Sequence, residues 1–198
     1  MGTIIHGNKN FGYAPILFSD NTYSFGSPVL LKGMVSSSIE VDQSTTNVYA
    51  DDTTYCRVKG AKVRNVEIGL RYITDAYAEY LGYHINDNGM LTDTGSFPAH
   101  CIFFESEEEN CETGEVTTTL HYIYNAQAST PTKETATDEE EVTPAEITVQ
   151  YNATNSEFVV DDQGNACQYG YITRTEENAD VYDTFKTTVL LPTTEISL

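Results

Sequence analysis

Residues 65–91 read NVEIGLRYITDAYAEYLGYHINDNGML, and the spacing of their apolar positions changes along the run. Val66, Ile68, Leu70 and Tyr72 alternate with Glu67, Gly69 and Arg71, which describes a strand with one apolar face. Thr74 then stands at an N-cap position, Asp75 falls in the first turn, and Gly82 follows Leu81 as a C-terminal stop. Between these caps Ala76, Tyr77, Tyr80 and Leu81 share one side of a short helix. A helix of about two turns does not hold alone, so it must dock on a sheet. Ile85 to Met90 extends into a tight turn in which Gly89 is free to take positive φ. The unit is strand, docked helix, hairpin.

The rest of the chain carries the same signature. Thr, Tyr, Val and Ile are plentiful, strand-length runs recur, and no long helical period appears. A single domain spanning 1–198 is expected, all-β with minor α: an antiparallel β-sandwich or partly closed barrel with one short flanking helix.

Upstream, residues 1–28 are short apolar pieces punctuated by Gly and Pro, an N-terminal arm with one or two short strands. This arm is either a terminal strand of the sandwich or a segment donated to a neighbour. Val29, Leu31, Val35, Ile39 and Val41 predict a long strand, kinked or bulged at Gly33, that ends in the polar stretch EVDQSTTNVYADD. Residues 42–65 are expected to protrude as a loop or hairpin. Within it Arg57, Lys59, Lys62 and Arg64 are four of only ten basic residues, with Lys59-Gly60-Ala61-Lys62 expected at the tip. Such charges either protect a strand edge from aggregation or pair with acidic surface on another copy.

Downstream, Ala99–Glu105 and Thr117–Ala126 predict two antiparallel strands with a turn near Thr113-Gly114. Glu105, Glu107, Glu108, Glu109, Glu112 and Glu115 crowd their connection. Carboxylates do acid–base work in a dry, shaped pocket, whereas a glutamate-rich tip is solvated. Residues 127–146 form a long acidic surface loop containing Asp138, Glu139, Glu140 and Glu141, after which Ile147, Val149 and Tyr151 resume alternation. A turn then leads to a strand with Tyr169 and Tyr171 on one face. Val181 to Lys186 makes a helical turn, and Thr187–Leu191 is expected as a closing strand.

A net charge of −20, from 30 acidic and 10 basic residues, argues against a surface that grips nucleic acid. Cys56, Cys101, Cys111 and Cys167 have no C-x-x-C spacing and are expected to be reduced and mostly buried. Asp42 with Asp51-Asp52 matches no calcium loop, and His6, His84, His100 and His121 are scattered. There is no phosphate loop, H-E-x-x-H or G-x-S-x-G, and no apolar run of membrane-spanning length. No enzyme, metal or cofactor is implied.

The runs NVYADD (Asn47–Asp52), VEIGL, ITDAYAEYLGY and DNGML, followed by VYDTFKTTVLLP (Val181–Pro192), resemble in order and spacing the major tail proteins of long, non-contractile-tailed bacteriophages. The resemblance covers residues 26–192. It implies a tail-tube fold whose copies form sixfold rings, stacked into the hollow tube that carries the genome to the host. The implied partners are further copies and the tape-measure, tail-tip and tail-terminator proteins. DNA would pass the lumen without specific binding, no membrane is involved, and the subunit would assemble in the host cytoplasm into the virion tail. A loop from the 42–65 region would reach between rings, making Arg57, Lys59, Lys62 and Arg64 contact candidates. Glu107, Glu108, Glu109, Glu112 and Asp138 to Glu141 become acidic surface or lumen candidates. Two departures stand out: the acidic segments are heavier in charge than the family pattern, and Thr184-Phe185-Lys186 lies where a further aromatic is common. The alternative from another class is a virion or secreted adhesion module that binds glycans through exposed tyrosines.

Overall fold

The computed structural model describes residues 3–50, 53–133 and 144–194. In chain order the elements are β1 (Thr3–Ser19), β2 (Thr22–Phe25), β3 (Val29–Leu30), β4 (Met34–Ala50), β5 (Thr53–Leu70) and α1 (Asp75–Ala78). They continue with β6 (Tyr83–Ile85), β7 (Leu91–Asp93), β8 (His100–Asn110), β9 (Val116–Ala128), β10 (Thr132–Lys133) and β11 (Ile147–Ala153). The chain ends with β12 (Ser156–Val160), β13 (Ala166–Cys167), β14 (Tyr169–Thr173) and α2 (Ala179–Tyr182). With 60% strand against 8% helix, the class is all-β with minor α.

One antiparallel sheet runs β2-β1-β8-β9-β11-β5-β4, with β3 on β1, β14 on β9 and β10 on β11. It curls without closing. Its β1 and β4 sides approach where Ser37 Oγ donates to Asn8 Oδ1 at 3.0 Å.

The centre of the sheet is apolar on both faces, and each face has its own core. Ile102, Phe104 and Ile123 look into one, with Phe11, Tyr13, Val66, Ile68, Leu70, Val149 and Tyr151. Cys101, Phe103, Leu120, Tyr122 and Tyr124 look into the other. The unbroken apolar run Cys101–Phe104 is what burial on both faces requires.

The helix α1 and the 3-10 turn Glu79–Leu81 after it close the first core through Tyr77 and Leu81. The helix starts where Thr74 Oγ1 accepts from the Tyr77 amide, and the 3-10 turn that follows stops at Gly82 in the left-handed region (φ 87°). Tyr77 of α1, Tyr80 of the 3-10 turn, and Tyr13 and Tyr151 from the sheet surround His100, whose Nδ1 donates to Pro98 O at 2.9 Å, leaving Nε2 to accept from Tyr77 Oη at 3.3 Å.

Four expectations need correction. Residues 3–19 form a terminal strand of the sheet, the first of the two readings of this segment, but one long strand in place of short pieces, paired with β8 from Thr3↔Asn110 to Pro15↔His100. Register shifts at Gly7 (φ 63°) and near Asn10 (φ 53°) break the period of two, so the strand resembles an arm in sequence. Gly33 (φ 89°) separates β3 from β4 instead of bulging one strand, and β4 continues through the polar stretch to Ala50. Thr187–Leu191 is not a strand. The edge of β9 is already taken by β14 and β11, so Val189 and Leu190 instead lie with α2, Tyr182 and Phe185 as a second helical cap. Of the four free cysteines only Cys101 is buried; Cys56 and Cys111 are exposed because they lie outside both cores.

Candidate assembly interface

The strands β4 and β5 pair from Met34↔Leu70 to Ala50↔Thr53, but β11 supports β5 only from Arg64 to Leu70. Beyond that point no third strand among the described residues pairs with the two, and the ribbon they form is exposed at 41–49 and again at 53–59. The pairing of the two strands runs on to Ala50↔Thr53, so Lys59–Lys62 is mid-strand and not the tip. Between the pairs Gln43↔Lys62 and Thr45↔Lys59, Gly60 and Ala61 together face the single residue Ser44. This β-bulge reverses the alternation of side chains along β5. Arg57 and Lys59 would otherwise lie on the face opposite Lys62 and Arg64; the bulge brings all four to one face. A Cβ on Gly60 would fall 2.2 Å from Ser44 Oγ, so glycine fits the crowded bulge. The spacing 57, 59, 62, 64, with glycine in its gap, is the signal in sequence.

That face continues the inward side of Val66 and Ile68. On β4 it carries Val41, Gln43, Thr45 and Asn47, none of them acidic. At its inner end the Arg64 guanidinium lies 4.2 Å over the Tyr169 ring, and partial burial lowers its pKa. The opposite face carries Glu67 level with Ser38, Glu40 level with Asn65, and Asp42 level with Val63. Its root is a groove of about 370 Å³ lined by Ser38, Glu40, Asn65, Glu67, Gln150 and Asn152.

The glutamates are dispersed along a strand more than gathered at a tip. Glu105, Glu107, Glu108 and Glu109 belong to β8, whereas Glu112 is exposed in the turn after it. Glu105 is only 4% exposed, accepting from Tyr182 Oη at 2.7 Å and from Asn10 Nδ2. Lys9 bonds Glu107 and holds its carboxyl below the usual range, while His6 Nε2 lies 3.5 Å from Glu109. Asp138 to Glu141 lie outside the described residues.

Ser106 Oγ, His121 and Tyr169 form a polar chain, 2.8 Å to Nε2 and 2.7 Å from Nδ1 to Oη. Ser106 is 4% exposed and the third member is a phenol, so the chain wires β8, β9 and β14 together inside the protein. His100 and His121 do not pair, since they stand opposite Ala126 and Phe104. Among the described residues no three His, Cys, Asp or Glu side chains converge as a metal site, and no helix is long and apolar enough to cross a membrane.

A family model described as "Phage tail tube protein" matches residues 2–198. The chain belongs to that family. It is a structural protein of a phage tail. Among solved structures it is similar to the anti-feeding prophage cap, described as the AFP tube terminating cap. The identity is 12%, over 83% of this chain and 89% of that one, at a TM-score of 0.44. It is also similar to the 6-fold symmetrised baseplate of the anti-feeding prophage, at 10% identity over 82% and 92% of the two chains and a TM-score of 0.36. Neither likeness is close enough to carry part of the reading. No curated protein matches the chain.

Tyr13, Tyr77, Tyr122, Tyr124, Tyr151 and Tyr182 are buried in the two cores, whereas Tyr23, Tyr49, Tyr55, Tyr72 and Tyr171 are exposed.

Proposed function

We propose that this tail tube protein is the tube subunit of a long, non-contractile tail. Its copies close into sixfold rings, and the rings stack into the conduit through which the genome passes to the host. Tape-measure, tail-tip and terminator proteins join it in the virion tail, and assembly takes place in the host cytoplasm.

The ribbon carries this reading. A lone two-stranded hairpin is marginal in water, yet this one leaves Val41, Val48, Tyr49, Tyr55 and Val58 from 41% to 76% exposed. A long, partly apolar ribbon without a third strand is an aggregation liability unless a neighbour covers it. Other copies are the neighbours that a tube provides. The charge of −20 suits a conduit, because few cations are left to retard a polyanion.

Negative-stain electron microscopy across concentration, alongside mass in solution, tests the proposal. Rings or hollow tubes of uniform width are expected. A stable monomer at every concentration, even with tail-tip components added, overturns it.

A further inference from the structure

We infer that the cationic face of the ribbon binds the acidic outer groove at the ribbon root of a second copy, so that copies join head to tail. The inference rests on the self-assembly proposed above and names the two surfaces that meet.

The bulge at Gly60-Ala61 produces a ribbon whose two faces carry opposite charge. Arg57, Lys59 and Lys62 are on one face, and Glu40, Asp42 and Glu67 are on the other. All six are exposed, and none has an ion pair with a described residue. Glu67 accepts only from the Gln150 amide, at 3.3 Å. The competing acidic surface on β8 is partly neutralised within the chain, where Lys9 pairs with Glu107. Arg64 is likewise engaged by Tyr169, which leaves three cations on one face and three carboxylates on the other without an ion pair among the described residues. The groove adds shape to this match: it is concave and polar, and it lies on the outside of the sheet where a neighbour's ribbon has access.

Segregated charge also selects the symmetry. A twofold contact of ribbon on ribbon sets like charge against like on either face, which is unfavourable. Cationic face against acidic groove uses different surfaces on the two partners. Such a heterologous contact closes into a ring or continues as a filament.

The test uses two full-length variants. One reverses the ribbon (R57E, K59E, K62E); the other reverses the acidic face, Glu40 and Glu67 of the groove with Asp42 further along the same face (E40K, D42K, E67K). Every changed side chain is exposed, so both should melt close to the wild type. A milder pair, K59E and E67K, is held in reserve should either triple variant fail to fold. Each variant alone should need about tenfold or more higher concentration to assemble, since attraction at several contacts becomes repulsion. An equimolar mixture should recover assembly, because each variant's ribbon then meets a groove of opposite charge. Alternation of this kind fits any ring with an even number of members.

Folded variants that assemble like the wild type, or a mixture that recovers nothing, overturn the inference while the tube reading stands. A wild type that never assembles removes both.

Discussion

At the residue scale, His100 governs part of the acid sensitivity of the fold. Burial pulls its pKa down to about 4, against an ordinary value of 6.5, because the tyrosine cage cannot hydrate an imidazolium. Between those values the unfolded chain binds a proton that the folded chain refuses. The contribution is therefore complete above pH 6.5 and is lost as pH falls towards 4, a loss of about 3 kcal/mol over the window. Replacing His100 with Phe should flatten that portion of the stability profile relative to the wild type. Urea unfolding from pH 7 to pH 4 measures the difference, and parallel profiles would show that the imidazole takes up its proton as readily in the folded protein as in the unfolded chain. The aromatic spacing of α1 was legible in the sequence, but a scattered histidine revealed nothing of its cage. Glu105 shows a subtler failure. It heads an acidic run and looks solvated, yet the period of two aligns it with Cys101 and Phe103, which predicts the second core.

At the element scale, the docked helix and its hairpin were fully legible, because caps and turn residues act locally. The long strands were read less well wherever bulges interrupt the period that identifies them. β1 carries Phe11 and Ala14 into opposite cores, but its two register shifts disguise it as separate pieces. The bulge in β5 similarly places Lys59 and Lys62 on one face, although their spacing looked like a turn. Deleting Gly60 tests its role. The remaining Ala61 would oppose Ser44 alone, alternation would run unbroken, and Arg57 and Lys59 would turn to the other face. Since this part of the ribbon contributes to neither core, monomer stability should change by less than about 1 kcal/mol. Assembly should nevertheless be lost, with thermal melting and electron microscopy reporting the two effects separately. Normal assembly by the deletion variant would show that the side on which these cations lie is immaterial.

At the scale of the whole molecule, strand order was the least legible feature, because β1 and β8 meet across most of a hundred residues and no local signal specifies that pairing. Net charge was plain from composition, and it leads to a prediction that pairwise contacts alone would not make. Compact chains of this length have centres about 40 Å apart in contact. Two copies, each bearing −20, then repel by about 40 kcal/mol in salt-free water. Screening lowers this to about 10 kcal/mol at 0.01 M salt and below about 1 kcal/mol at 0.15 M. A close ion pair near the surface is worth about 1 to 4 kcal/mol before its own costs, so three pairs at best about match the repulsion at the lowest salt. The pairs act over about 4 Å, within one Debye length at 0.15 M but beyond it at 1 M. Assembly of the wild type should therefore be weak at 0.01 M sodium chloride, strongest near 0.15 M and reduced again near 1 M. Sedimentation velocity at fixed protein concentration follows the assembled fraction. In the ribbon-reversed variant the fall at high salt should disappear, since no attraction remains to be screened. A wild type that assembles best at the lowest salt would mean that its acidic residues lie too far from the contact to oppose it, and that the ribbon charges dominate at every ionic strength.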